Sequence, residues 1–192
     1  MDGDLVAGVD EVGRGPLFGP VVSAAVILPK NHSISGLADS KKISAVKREL
    51  LYDKIVKQSI CYSIAEASVE EIDQLNILQA TLLSMKRAIN SLSIIPDIVK
   101  VDGSILPDVN IKSEAIIQGD SKFDAISAAS IIAKVYRDRL MCEYHKKYPE
   151  YGFNGHKGYP TKRHLECIRK YGVIEGYRVS FKPIKAMLLI HK

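Results

Sequence analysis

Three short apolar runs in this chain each lead into acids, and those acids are the residues best suited to do chemistry. Leu5-Val-Ala-Gly-Val9 runs into Asp10-Glu11, Ile98-Val-Lys-Val101 into Asp102, and Glu114-Ala-Ile-Ile-Gln-Gly119 into Asp120. A single acid after a strand is commonly a turn former or a helix cap. Three strand ends doing the same on one sheet are better explained by a shared site, because sites in such sheets form beyond the carboxyl ends of neighbouring strands. Four clustered carboxylates repel one another and raise each other's pKa unless cations sit among them. Hard divalent ions such as Mg²⁺ or Mn²⁺ prefer oxygen donors. Two such ions about 4 Å apart can activate a water and stabilise the leaving oxygen when a phosphodiester is cut.

Gly13-Arg14-Gly15 follows the first acid pair at once, and a second apolar run, Val21 to Leu28, comes soon after. Two paired strands need no Asp-Glu between them, so the acids and the glycine-rich turn read as a site. Glycines let another molecule approach the backbone closely, and one arginine beside them suits a phosphate. Two look-alike motifs fail. As a dinucleotide fingerprint the third glycine, Gly19, comes one residue late and precedes a strand instead of a helix. As a phosphate loop, Gly8 to Gly13 is followed by Arg14-Gly15 where Lys-Ser/Thr is required. The five histidines show no zinc spacing, and His156 and His164 read as contacts or core residues rather than ligands. No Ser-His-Asp or Cys-His pairing stands out, which favours direct water attack over a covalent intermediate.

The elements that must position these residues are legible in outline. The spacing predicts a helix from Ser44 to about Lys57 and a strand from Ile60 to Ala67. Ser68 and Glu71 form a capping box for a helix through Leu75, and a longer helix runs from Asn76 to about Leu92. Ala125 to Tyr144 is the strongest helix, with small apolar residues (Ala128, Ala129, Ala133) that let it lie close against a sheet. Pro149 to Pro160 reads as a loop, and Thr161 caps a short helix through Lys170. Residues 181–192 carry no clear assignment. The order of elements suits a mixed sheet with helices on its faces.

Length and composition agree with a globular protein. The 192 residues suit one domain, or one domain with an appendage, and 46% hydrophobic with 26% charged residues excludes disorder. No apolar run is long enough to span a membrane. Cys61, Cys142 and Cys167 lack a Cys-x-x-Cys pair and read as reduced thiols, so the expected location is the cytoplasm. The net charge is +5, and from His145 onward eleven Lys or Arg stand against three Glu, interleaved with Tyr148, Tyr151, Phe153, Tyr159, Tyr171, Tyr177 and Phe181. Cations interleaved with aromatics suit a nucleic-acid groove. The alternative is a solvated basic surface with the aromatics in the core.

Gly8-Val-Asp-Glu-Val-Gly-Arg-Gly-Pro-Leu-Phe-Gly-Pro-Val22 resembles the signature of the bacterial ribonuclease HII family. The likeness continues through Asp39-Ser-Lys-Lys42, Val101-Asp-Gly103, Gly119-Asp-Ser-Lys122, Ile126-Ser-Ala-Ala-Ser-Ile-Ile-Ala-Lys-Val135 with Arg137-Asp138, and His156-Lys-Gly-Tyr-Pro-Thr161 with His164. The sister ribonuclease HIII fits less well, since it carries lysine at the Arg14 position and an additional N-terminal domain. The resemblance implies an α/β, ribonuclease H-like fold: a mixed five-stranded sheet flanked by helices, with a small helical C-terminal appendage. It implies a catalytic domain over residues 1–145 and a basic, tyrosine-containing substrate-binding segment over 146–192 packed on it.

By the same resemblance, Asp10, Glu11, Asp102 and Asp120 hold catalytic divalent metal, Mn²⁺ or Mg²⁺, with two ions expected when substrate is bound. Gly13, Arg14 and Gly15 fall on the loop that reads the 2′-hydroxyl and the neighbouring phosphate. Tyr159 packs on the deoxyribose after the ribonucleotide, Lys41 or Lys42 holds a phosphate, and Ser127 or Ser130 lines the site. The implied partners are RNA–DNA hybrids and duplex DNA carrying ribonucleotides, acted on by a monomer with no membrane association. The implied reaction cuts the RNA strand, including 5′ of a single embedded ribonucleotide, and leaves 3′-hydroxyl and 5′-phosphate ends. One departure is Tyr177-Arg-Val-Ser-Phe181, where the family usually has histidine first. Two other classes compete: a different metal-dependent nuclease on the same fold, and a non-catalytic nucleic-acid binder. A pure binder needs no convergent carboxylates, and a resolvase-type nuclease has no 2′-hydroxyl for Gly-Arg-Gly and Tyr159 to read.

Overall fold

A computed structural model describes residues 5–37 and 43–190. Strands β1 (Val6–Val12), β2 (Val21–Ile27), β3 (Cys61–Ala67), β4 (Ile98–Asp102) and β5 (Ser113–Ile116) form one sheet in the order β3-β2-β1-β4-β5. The pairs β1–β2 and β2–β3 are antiparallel, whereas β1–β4 and β4–β5 are parallel. The mixed, five-stranded sheet flanked by helices that the resemblance implied is therefore present.

Period-two alternation along the strands builds two cores. Val22, Ala24 and Val26 of β2 face helices α1 (Ala45–Gln58) and α4 (Asp124–Lys147). Ala25 and Ile27 of the same strand face the opposite side, with Met85, Ala88 and Ile89 of α3 (Ile77–Asn90). The small residues of α4 act as anticipated. Gly8 of β1 has no room for a Cβ, which would stand 2.1 Å from the Ala125 carbonyl carbon. Backbone-to-backbone approach of this kind needs glycine on the strand and small residues on the helix.

Local chemistry sets the remaining boundaries. Ser68 and Glu71 make the reciprocal capping box that opens α2 (Val69–Leu75). Asn76 then takes φ 74° and accepts hydrogen bonds from the Leu78 and Gln79 N–H groups, so one residue ends α2 and starts α3. The expected loop of residues 149–160 contains a 3₁₀ turn, Pro149–Tyr151, and a one-turn helix α5 (Phe153–His156), joined at Gly152 with φ 72°. Helix α6 (Lys162–Tyr171) is capped by Thr161 as expected, and the unassigned C-terminus forms α7 (Lys182–Ile190).

Residues 149–190 fold back on the β1–β2 connection rather than hanging free. Phe18 stacks on Phe153 at 4.1 Å between ring centroids and meets Tyr177 edge-on at 5.0 Å. The expected boundary after residue 145 falls inside α4. Among the described residues no helix is long and apolar enough to cross a membrane.

Candidate active site

The parallel edge of the sheet positions the acids. Pairing of β1 with β4 ends at Val9 opposite Val101, so Asp10 and Asp102 emerge side by side where the parallel ladder stops. The β1–β2 ladder continues through Asp10–Ala24 and Glu11–Ser23. The two acids thus stand within β1, two residues and one residue before its end, rather than after it. Asp10, Glu11 and Asp102 line one cavity of about 370 Å³, together with Ser130, Lys134 and Arg48. Glu11 and Asp102 also line a second cavity of about 240 Å³, together with Arg14 and the α3 residues Leu78 and Thr81.

Asp120 does not end a strand, contrary to expectation. β5 stops at Ile116; Gln118 takes a left-handed conformation (φ 56°) and turns the chain into a 3₁₀ turn, Gly119–Ser121, that carries Asp120. The turn is fastened to the acid site because the Gly119 N–H donates to Asp102 Oδ1 at 2.6 Å. Asp120 itself is buried.

Burial holds the Asp10 carboxyl well above the usual carboxylate range, and the Glu11 and Asp102 charges push the same way. The Ser130 hydroxyl and the Glu11 N–H, 2.7 Å from Oδ1, oppose the shift without cancelling it. Glu11 is raised mainly by burial, and Arg14, 3.3 Å from its Oε1, pulls it down in part. Even with Arg14 beside Glu11, Asp10 and Glu11 stay raised, so these crowded carboxylates favour further positive charge, and the donor set is all oxygen. That chemistry fits hard divalent cations. Among the described residues no three His, Cys, Asp or Glu side chains stand as a preformed metal-holding group.

The Gly13–Gly15 loop lies between the acids and Tyr159. Gly13 has φ 94°, and a Cβ there would fall 2.3 Å from Arg137 Nε, so only glycine fits. Arg14 is exposed and paired to Glu11, and Gly15 lies against the Tyr159 ring, 3.5 Å from where its Cβ would be. Tyr159 is 39% exposed. The Gly158 carbonyl accepts from the Leu17 N–H at 2.8 Å, which ties the tyrosine's segment to the glycine loop.

Two sequence-based expectations need correction. Ser127 is fully buried and its hydroxyl bonds the Leu37 carbonyl, so it supports the core; Ser130, one helical turn on, is the serine that faces the cavity. Much of the basic, aromatic tail is interior as well. Tyr151, Phe153 and Tyr177 are core residues, and Arg178 is completely buried. Lys41 and Lys42 lie outside the described residues.

Sequence reasoning missed four residues. Arg178 donates to the carbonyls of Gly13 (2.6 Å), Arg14 (2.9 Å) and Gly19 (2.8 and 2.9 Å). Arg137 donates to those of Phe18, Pro20 and Lys157. Arg178 thus holds the glycine loop, and Arg137 holds the stretch between that loop and β2. Arg48 and Lys134 bring positive charge to the acid cavity, Lys134 being held 2.7 Å from Asp138 Oδ1. The i, i+4 spacing of Ser130 and Lys134 on α4 was the available signal.

His164 carries a pH-dependent prediction. It is buried, stacked on His156 at 4.0 Å, and burial draws its pKa from 6.5 down to about 4. Tyr159 and Tyr177 face its two nitrogens, and His156 is lowered in the same direction, by burial first and by nearby Arg163. Between pH 6.5 and about 4 the unfolded chain binds the extra proton and the folded one does not. The stabilisation is complete above pH 6.5 and is lost as pH falls towards 4, on the order of 2–3 kcal/mol. Melting temperature should drop across that window, and the His164 ring resonance should stay put through pH 6. A normal titration near 6.5 would contradict this.

The comparisons with known proteins agree with the site. The family model described as Ribonuclease HII matches residues 7–184. A ribonuclease HII of Delftia acidovorans is 58% identical over 186 residues, covering 97% of this chain and 79% of that protein. One from Coxiella burnetii is 57% identical over 185 residues, covering 96% and 92%. The crystal structure of ribonuclease H2 from Pyrococcus horikoshii superposes with a TM-score of 0.80 at 31% identity, covering 95% of this chain and 96% of that one. Bst-RNase HIII in complex with Mn²⁺ shares the fold, with a TM-score of 0.76 at 19% identity, over 98% and 70%. With its acids, its glycine loop and Tyr159 all inside the matched span, the chain belongs to the ribonuclease HII family.

Proposed function

We propose that this protein is an endonuclease that hydrolyses the RNA strand of RNA–DNA hybrids and cuts 5′ of single ribonucleotides embedded in duplex DNA. The observation that carries this reading is the succession from Glu11 in the acid cavity, through its partner Arg14, to Gly15 against the Tyr159 ring. An acid cavity alone suits any metal-dependent nuclease. An exposed aromatic ring against a glycine loop beside that cavity adds a place to test the sugar on each side of one phosphate.

Asp10, Glu11, Asp102 and Asp120 would hold Mn²⁺ or Mg²⁺, which when bound supplies an activated water and stabilises charge on the phosphoryl oxygens. Asp10 and Glu11 bring negative charge that disfavours phosphate until it is neutralised. Arg14, exposed at the rim, can bind a backbone phosphate while its pairing with Glu11 keeps it beside the acids. The Gly13–Gly15 backbone, bare of side chains on either side of Arg14, can approach a 2′-hydroxyl, the group that separates RNA from DNA. The Tyr159 ring accepts a sugar lacking that hydroxyl. Lys134 and Arg48 add positive charge to the lining of the cavity, suited to an adjacent phosphate. The products are 3′-hydroxyl and 5′-phosphate ends. The proposed setting is the cytoplasm, in removal of RNA primers and stray ribonucleotides.

Tyr159→Ala tests the reading. Loss of a stacked ring should cost about 1–3 kcal/mol, by analogy with base stacking. The loss in kcat/KM should be greater on a duplex with one ribonucleotide than on a continuous RNA–DNA hybrid. Equal fold-losses on both substrates, with a lowered melting temperature, would make Tyr159 scaffold.

A further inference from the structure

Two stacked histidines flank the backbone of Tyr159, and their partners fix the proton on each. His164 Nδ1 lies 2.8 Å from the Tyr159 carbonyl oxygen. A carbonyl can only accept, so Nδ1 bears the hydrogen. His164 Nε2 lies 2.8 Å from the Tyr177 hydroxyl, which must then donate to it. His156 is the mirror case. Its Nδ1 accepts from the Gly158 N–H at 3.1 Å, so the hydrogen sits on Nε2, which donates to the Tyr151 carbonyl at 2.7 Å. The peptide groups on either side of the Gly158–Tyr159 peptide, through the Gly158 N–H and the Tyr159 C=O, are thus held by two imidazoles in opposite tautomers.

We propose that His156 and His164, with Tyr177 as proton donor to His164, are positioning residues that fix the Tyr159 ring for recognition of the ribonucleotide junction. This rests on the junction-reading role of Tyr159. Arg178 strengthens the case from the other side: it follows Tyr177 directly and bonds the carbonyls of Gly13 and Arg14. One C-terminal turn therefore fastens both the glycine loop and the tyrosine facing it. The Tyr177 phenol is suited to the task because its hydroxyl can donate to Nε2 while the ring stays among Phe18, Phe153 and Tyr151. The lowered pKa of His164 agrees with a neutral ring in this place.

The test uses the full chain with Tyr177→Phe, Tyr159→Ala and the double variant. Its readout is a ratio: kcat/KM on a single-ribonucleotide duplex divided by kcat/KM on a continuous hybrid. Tyr177→Phe removes one hydrogen bond and keeps the ring, so the ratio should fall about fivefold, the larger loss falling on the single-ribonucleotide duplex. If Tyr177 acts through Tyr159, the double variant should show the same ratio as Tyr159→Ala, since coupled residues are non-additive. A fall with Tyr159→Ala but none with Tyr177→Phe, or fully additive losses, would overturn the positioning role alone. An unchanged ratio with Tyr159→Ala would overturn the junction reading itself. Nitrogen NMR of the wild-type rings gives a check independent of any variant's folding: His164 should be the Nδ1–H tautomer and His156 the Nε2–H tautomer, and any other assignment would overturn the proposal.

Discussion

Replacing Asp10 with asparagine should abolish cleavage while leaving the protein folded and able to hold its substrate. Asp10 lies where the β1–β4 ladder ends, buried beside Glu11 and within reach of the Asp102 charge. Asparagine keeps the size and can still accept from the Glu11 N–H, but it removes the charge that would draw metal. Transition-state stabilisation from a metal ligand amounts to several kcal/mol, so the expected loss is several powers of ten. The fold should gain, because an uncharged group replaces one of several repelling carboxylates in a buried place. The variant should therefore melt no lower than wild type in metal-free buffer and should bind an RNA–DNA hybrid undiminished. If it kept more than about a tenth of the wild-type rate, the loss would be under about 1.4 kcal/mol. That is too little for a residue at the centre of the site.

Arg178→Met should give the largest loss of stability. The guanidinium is fully buried and serves three carbonyls of the β1–β2 connection, and its charge makes each bond stronger than a neutral one. Methionine has similar length but no donors, so the carbonyls of Gly13, Arg14 and Gly19 lose these bonds where water has poor access. Each orphaned group costs about 1–3 kcal/mol, and the loss should total about 3–5 kcal/mol after some relaxation. For a chain of this length that lowers the melting temperature by about 10 °C. Urea unfolding should show a lower midpoint with an unchanged slope. A loss under about 1 kcal/mol would mean that the loop is held by something other than Arg178.

The contrast between these two residues shows what the sequence displays and what it conceals. Asp10 and Glu11 were legible because acids following an apolar strand are costly without a purpose. The small face of α4 was legible because alanines at helical spacing have one obvious use against a sheet. Arg178 was not, since a buried arginine looks like any surface arginine until the carbonyls it serves are in place, and those come from the opposite end of the chain. The same holds for Arg137. Ser127 and Ser130 lie three apart on one helix, and the packing of Leu37, not any local signal, decides which of them faces the cavity. Asp120 was found as an acid but misplaced as a strand end, because the turn before it depends on Gln118 adopting a positive φ that few residues of its type adopt. Tyr177, read as one of the tail's aromatics and as a departure from a family pattern, has its physical explanation in the hydroxyl donated to His164.

The central claim is that the acid cavity, the glycine loop and Tyr159 together select one phosphate beside a ribonucleotide. The most direct measurement maps the cut in a DNA duplex carrying one ribonucleotide, end-labelled on the strand that contains it, with Mn²⁺ and with a chelator. A single cut on the 5′ side of the ribonucleotide is expected in Mn²⁺, leaving a 3′-hydroxyl, with none in the chelator and none in an all-DNA duplex. Cutting of the all-DNA duplex, or cuts scattered without regard to the ribonucleotide, would contradict it.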